Sequence, residues 1–259
     1  MSDRMLSGKT ALVTGSTSGI GLGIAKALAA QGANIVMNGF GDTEGPQAEI
    51  KALGVKVAYH GADMSKPADI EAMHAFAQKT FGGVDILVNN AGIQHVASVE
   101  DFPVERWDAI IAINLSSAFH TTRLALPDMQ KKNWGRIINV ASVHGLVASA
   151  QKSAYVAAKH GVVGLTKALA LELARKGVTV NAICPGYTET DIVREAVSNI
   201  VAKTGKSEAQ ARQALAASNP QQRLVQPQEV AQSVLWLCAA GSDAINGQAL
   251  AIDGGELAG

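Results

Sequence analysis

Tyr155 and Lys159 stand four residues apart in the stretch NVASVHGLVASAQKSAYVAAKHG, residues 139–161. The segment is rich in Ala, Val and Lys and predicts a helix, on which i and i+4 side chains share one face. A phenol beside an ammonium is a usable base. Tyrosine titrates near 10 in water, and bringing it to 7 takes about 4 kcal/mol of differential stabilisation of the phenolate. A lysine cation in a partly dry site supplies much of that, because it favours the charged form. Upstream, Ser142 follows the apolar run 136–141, which predicts a buried strand. A strand end facing a helix brings a hydroxyl and a phenol to one substrate oxygen.

The elements that must position this chemistry alternate along the chain. Residues 10–14 form an apolar run ending at Gly15, followed by Ser16, Thr17, Ser18, Gly19, Ile20 and Gly21 and then a helical pattern through Leu22, Ile24, Ala25 and Leu28. Strand, glycine turn and helix are the context of a nucleotide fingerprint, in which Gly15 permits the turn and Gly19 and Gly21 admit a pyrophosphate to the helix start. Further strands are predicted at 34–38, 55–60, 85–89, 136–141, 178–183 and 248–252, with helices at 67–81, 102–129 and 227–240. Asn114 stands inside the 102–129 pattern, where asparagine is a poor interior residue and can hold a water or pack by hydrogen bond on a neighbouring strand. Small residues at 90–92 suit a flat ring laid against backbone, and Asp63 could accept from an adenine amino group. Residues 187–224 keep helical periodicity through Ala196, Ile200, Ala211 and Leu215 between breaks at Gly205 and Pro220, and read as a lid.

The 259 residues can bury the core of one α/β domain, and the formal net charge of zero leaves no basic excess for nucleic acid. No run of 18 apolar residues suggests a membrane span, and the first residues lack the apolar core of a signal peptide. Cys184 and Cys238, the two cysteines, have no metal-ligand spacing. The expectation is a reduced, cytoplasmic protein without a bound metal. Neither 16–18 nor 39–42 contains Lys or Arg, so NAD is expected over NADP, whose 2′-phosphate calls for a cation; Asn38 stands where a ribose-binding acid is usual.

Taken together, Thr14-Gly-x-x-x-Gly-x-Gly21, Asp63, Asn89-Asn-Ala-Gly92, Asn114, Ser142, Tyr155-x-x-x-Lys159 and Pro185-Gly-x-x-x-Thr190 resemble the short-chain dehydrogenase/reductase superfamily over essentially the whole chain. The resemblance implies one doubly wound parallel sheet of the Rossmann type, with the lid inserted. It implies Tyr155 as general acid/base, Lys159 holding the nicotinamide ribose and depressing the tyrosine pKa, Ser142 steadying the substrate oxygen and Asn114 a water of the proton relay. The cofactor would be lined by Gly15, Thr17, Ser18, Gly19, Ile20, Gly21, Phe40, Asp63, Met64, Asn90, Ala91, Gly92, Pro185, Gly186, Thr188 and Thr190, besides Tyr155 and Lys159.

Residues 19–24, 38–42, 91–95 and 144–150 with Lys152 narrow the resemblance to bacterial D-3-hydroxybutyrate dehydrogenases. It then implies that Gln94, His144 and Lys152 hold a substrate carboxylate beside Ser142, Tyr155 and Tyr187, and that the chain assembles as a homotetramer. The helix after Lys159, with Val162, Val163, Leu165, Leu169 and Leu173, is apolar enough to cover the sheet and to meet a partner. The chain departs from that group in the lid: Ala196 stands where a glutamine is expected, Tyr187 replaces a tryptophan and no aromatic closes the C-terminus. A reductase of 3-oxoacyl thioesters or larger hydroxy acids, and a non-catalytic dinucleotide sensor, remain as alternative expectations.

Overall fold

The computed structural model describes residues 4–258. Seven strands pair in parallel in the order β3-β2-β1-β4-β5-β6-β7, where β1 is Thr10–Val13, β2 Asn34–Met37, β3 Val57–Tyr59, β4 Ile86–Asn89, β5 Gly135–Val140, β6 Val178–Pro185 and β7 Ala249–Ile252. The order reverses between β1 and β4. In a doubly wound sheet that switch point opens a crevice beyond the strands' carboxyl ends. Ser142, Tyr155, Lys159 and the glycine turn line it.

Helices cover both faces. On one, α1 (Gly19–Ala30), α2 (Glu44–Lys51) and α9 (Pro227–Cys238) bury Ile24, Leu28, Ile50, Val230 and Val234 against strand residues such as Val13, Ile35 and Ile86. On the other, α3 (Pro67–Phe81), α5 (Ser117–Lys131) and α6 (Ser153–Leu173) bury Ile70, Met73, Met129, Leu169 and Leu173. Burying one such side chain is worth about 1.5–3 kcal/mol, so these two layers fix the sheet on which the site rests. Of the apolar residues expected to serve both the sheet and a partner, Val162, Val163, Leu169 and Leu173 are buried within the chain and Leu165 is partly buried. The exposed large apolar residue of that helix is Leu171, 82% accessible.

Two local differences from the sequence reading have physical causes. The long pattern around Asn114 divides into α4 (Val104–Ile111), a π-turn at Ala112–Ser116 and α5. Such π-turns collect at functional sites, and here one carries Asn114. Strand β6 continues beyond Ile183 to Pro185 because β7 pairs with it as far as Pro185 and Ile252. A buried chain of side-chain hydrogen bonds then ties the layers together. The hydroxyl of Thr121 donates to Asn89 at 2.6 Å, Asn89 to Asn139 at 2.8 Å, and Asn139 to Thr166 at 2.9 Å. It fixes α5 to α6 through β4 and β5.

The segment expected to form a lid contains α7 (Asp191–Thr204) and α8 (Glu208–Ala216), which share a small core of Val193, Val197, Ala211, Ala216 and Leu224. Its two ends meet in a parallel bridge between Thr188 and Val225, where the Val225 N–H donates to Tyr187 and the Glu189 N–H to Val225, each at 2.9 Å.

Candidate active site

Helix α6 begins after Lys152 and places Tyr155 and Lys159 on successive turns of the face towards β5. Lys159 is buried, with Nζ donating to the Val140 carbonyl at 2.7 Å and lying 5.6 Å from the Tyr155 ring centre. Ser142, beyond the end of β5, caps a short turn at Val143–Gly145 by accepting the His144 N–H at 3.1 Å. Gly145 lets that turn approach α6: a Cβ there would lie 2.9 Å from the Lys159 carbonyl.

Burial pushes the Tyr155 phenol above its usual value, and a hydrogen bond from Ser142 works the other way. Burial also lowers the Lys159 ammonium to about 8. The expected depression of the phenol by lysine is therefore not what the chain alone provides. The ammonium's proton is directed to Val140, and desolvation dominates the phenol.

A cavity of about 580 Å³ opens over the switch point. Its floor is the loop into α1, with Gly15, Thr17, Ser18, Gly19, Ile20 and Gly21; its far end holds Phe40, Asp63 and Met64, and its near wall Asn90, Ala91 and Gly92. Pro185, Gly186, Thr188 and Thr190 close it from β6 and the lid neck. Ser18 makes no side-chain cap to α1, whose first turn holds no acid, so helix-end N–H groups are left to meet an anion. Gly21 is required by contact, since a Cβ would stand 2.1 Å from the Gly15 carbonyl oxygen. A dinucleotide fits these features.

Asn90 clasps the loop, its amide donating to the Thr14 and Gly15 carbonyls at 2.9 Å each. Asn38, at the expected ribose position, is turned inward: it accepts from the Gly15 N–H at 3.4 Å and donates to the His60 and Ala62 carbonyls at 3.1 and 2.9 Å. Asp63 lines the cavity, yet its carboxylate accepts from the Ser65 N–H and hydroxyl at 2.9 and 2.7 Å, which holds it below the usual carboxylate range. Among the described residues, Lys152 and Lys159 are the lysines and arginines of the lining, and both lie at the α6 end.

The structure also brings Gln94, His144, Lys152 and Tyr187 to the cavity at that end. His144 packs edge-on against Tyr155 with ring centres 6.0 Å apart, and its Nε2 lies 2.7 Å from the Ser149 hydroxyl. Burial, with the positive charges of Lys152 and His160, pushes the imidazole down to about 4, so it is neutral at neutral pH. Lys152 donates to the Tyr187 hydroxyl at 3.4 Å and lies 5.4 Å from its ring centre. Asn114 is not among the lining residues. Its amide accepts from the Ile93 N–H and donates to the Ile93 carbonyl, both at 2.9 Å, so it ties down the loop that carries Gln94.

Sequence reasoning placed Ala196 over the substrate in place of a glutamine, but it missed Val193 in the apolar wall of that segment, and Leu215 had shown only as helix periodicity. It also missed the inward use of Asn38 and the serine against His144. Neither belongs to a spacing pattern, and both depend on contacts made in three dimensions.

Comparison with known proteins bears on this geometry. The short chain dehydrogenase family model matches residues 9–200. The chain is 62% identical over 257 residues to a D-beta-hydroxybutyrate dehydrogenase of Cupriavidus necator, covering 98% of this chain and 100% of that one. It is 52% identical over 259 residues to a D-beta-hydroxybutyrate dehydrogenase of Rhizobium meliloti, covering 96% and 99%. Among solved structures, a variant of actinorhodin polyketide ketoreductase with NADPH superposes with a TM-score of 0.91 at 38% identity, covering 96% and 97% of the two chains.

Proposed function

The chain belongs to the short chain dehydrogenase family, and from that premise we propose that it interconverts (R)-3-hydroxybutyrate and acetoacetate with NAD. The observation that carries the reading is the arrangement of the cavity's α6 end. Tyr155 and Ser142 stand beside Gln94, His144 and Lys152, and Lys152 is the cation left for a substrate once Lys159 is bonded to Val140. A small hydroxy acid has a hydroxyl for the first pair and a carboxylate for the other three.

In the oxidation, Tyr155 as phenolate removes the hydroxyl proton. Ser142, whose oxygen already accepts the His144 N–H, directs its own proton to the same substrate oxygen and balances the charge that develops there. Lys159 keeps a positive charge next to the phenolate. Its Nζ lies 5.6 Å from the ring centre, and its charge favours the phenolate and opposes the desolvation of the phenol. Gln94, His144 and Lys152 hold the acid while the proton moves. Bound NAD supplies the carbon that accepts the hydride. Among the described residues the adenosine end of the cavity is lined by Phe40, Asp63 and Met64 without a lysine or arginine, and Lys66 beside it is paired with Asp63, which supports NAD over NADP. The two cysteines, buried and free, suit a reducing cytoplasm.

One assay tests substrate and cofactor together. Acetoacetate should be reduced with NADH, with kcat/KM at least about tenfold higher than with NADPH, since a 2′-phosphate without a cation loses a charge-assisted bond. Comparable values for the two cofactors would count against the NAD assignment. The apolar lid wall of Val193, Ala196 and Leu215 favours one second reading, a reductase of 3-oxoacyl thioesters. Faster turnover of acetoacetyl-coenzyme A than of the free acid would select it.

We also propose a homotetramer. Val104, Phe119, Leu171 and Trp236 are at least half exposed on the described helices, and neighbouring copies would cover them in such an assembly. Light scattering should give about four times the mass of the chain, and a monomer would exclude the assembly.

A further inference from the structure

We propose that Ser149 is a positioning residue: its hydroxyl donates to Nε2 of His144, holds the imidazole as the Nδ1–H tautomer and so presents a neutral donor to the substrate carboxylate. The proposal rests on the acid-substrate reading given above and adds to it a residue outside the cavity wall.

The geometry separates the two ring nitrogens. Nε2 lies 2.7 Å from the Ser149 oxygen, a full hydrogen bond, so this nitrogen is engaged away from the catalytic hydroxyls. Nδ1 lies 3.5 Å from the Ser142 oxygen and is the nitrogen on the side of the reacting groups. A neutral imidazole has one donor and one acceptor, and the partner of one nitrogen decides the role of the other. If Ser149 accepted from Nε2–H, Nδ1 would turn a lone pair towards an anionic substrate. If Ser149 donates, Nδ1–H points there. The second arrangement alone gives His144 something to offer a carboxylate without taking up a proton. It also leaves the Ser142 proton for the substrate oxygen, because a protonated Nδ1, 3.5 Å away, cannot accept it.

The surrounding chain gives Ser149 this leverage. It lies on the exposed segment 146–151 between the Ser142 turn and α6. The other end of that segment is fixed by the Gln151 carbonyl, which accepts the Ala97 N–H at 3.1 Å. The loop that aligns His144 is thereby joined to the loop that carries Gln94 and leads directly into Lys152. Three carboxylate-binding groups share one support.

The tautomer can be read directly. In full-length protein labelled with ¹⁵N-histidine, with the His144 signals identified by their loss in His144→Gln, Nδ1 should be protonated and Nε2 bare. Ser149→Ala should produce a tautomer mixture, and Ser149→Thr should restore the original state. In kinetics, Ser149→Ala should raise KM for 3-hydroxybutyrate about 3- to 10-fold, as expected for one neutral hydrogen bond, with smaller changes in kcat and in KM for NAD. An uncharged short secondary alcohol should be affected less. A wild-type Nε2–H tautomer, or a Ser149→Ala protein with unchanged tautomer and unchanged KM, overturns the proposal. If Ser149→Ala is silent while His144→Ala raises KM for the acid, the positioning role fails and the substrate reading stands. If the wild type does not turn over the acid, the substrate reading fails, and the spectra still decide whether Ser149 sets the tautomer.

Discussion

Tyr155→Phe is expected to lower kcat by about 10²- to 10⁴-fold in both directions, the range for loss of a positioned acid/base. The substitution removes one oxygen and keeps the ring. The edge-on contact with His144 and the packing in α6 therefore survive, and Ser142 keeps its backbone donor. Affinity for the dinucleotide should be nearly unchanged, because the loop into α1 and the strand ends that line the cavity are untouched. In the wild type, oxidation requires the phenolate and reduction the phenol, so the first should rise and the second fall as pH increases through the apparent pKa. Both slopes should disappear from the residual activity of the variant. Retention of more than a few per cent of kcat, with dinucleotide affinity intact, would mean that another group moves the proton.

Lys152→Ala should reduce kcat/KM for 3-hydroxybutyrate by about 10- to 150-fold, mainly through KM. None of the eight ion pairs among the described residues includes Lys152. Its neighbour is instead the face and hydroxyl of Tyr187. A partly buried cation without a counter-ion is costly, and an anionic substrate relieves that cost on binding. The substitution should therefore cost far less with an uncharged alcohol. Lys152 also precedes α6 at its N-cap position, where it makes no side-chain cap, so alanine should leave the helix start in place. Equal losses on charged and uncharged substrates would assign Lys152 to the support of α6 and remove it from the carboxylate site.

Most of the sheet can be read from apolar runs bounded by glycine and polar residues, because strands buried on both faces carry almost nothing else. The helix from Pro67 to Phe81 is legible at both ends, with proline at its start and Gly82 in the left-handed region after it. Helix α2 is not legible: it is two turns long and has Gly45 and Pro46 in its first turn. The π-turn at Asn114 is equally hidden, since one extra residue hardly disturbs a 3.6-residue period. The site divides in the same way. Tyr155, Lys159 and the glycine loop are set by spacing within single elements and can be found from spacing. The position of Asn38 at a strand end can be read, but not its inward turn to partners on other strands, and no spacing pattern marks the contact of Ser149 with His144.

The bridge at the lid neck has an evolutionary consequence. Two backbone hydrogen bonds between residues 187–189 and Val225 clamp both ends of the inserted segment, and its helices keep a hydrophobic core of their own. Changes of sequence within that segment need not propagate into the sheet, because its ends return to the same two bonds. Selection can therefore alter the wall formed by Val193, Ala196 and Leu215 while Tyr155, Ser142 and Lys159 stay in register on α6 and the end of β5. The clamp separates what the protein transforms from how it transforms it, so substrate preference can diverge among descendants that retain one hydride-transfer chemistry.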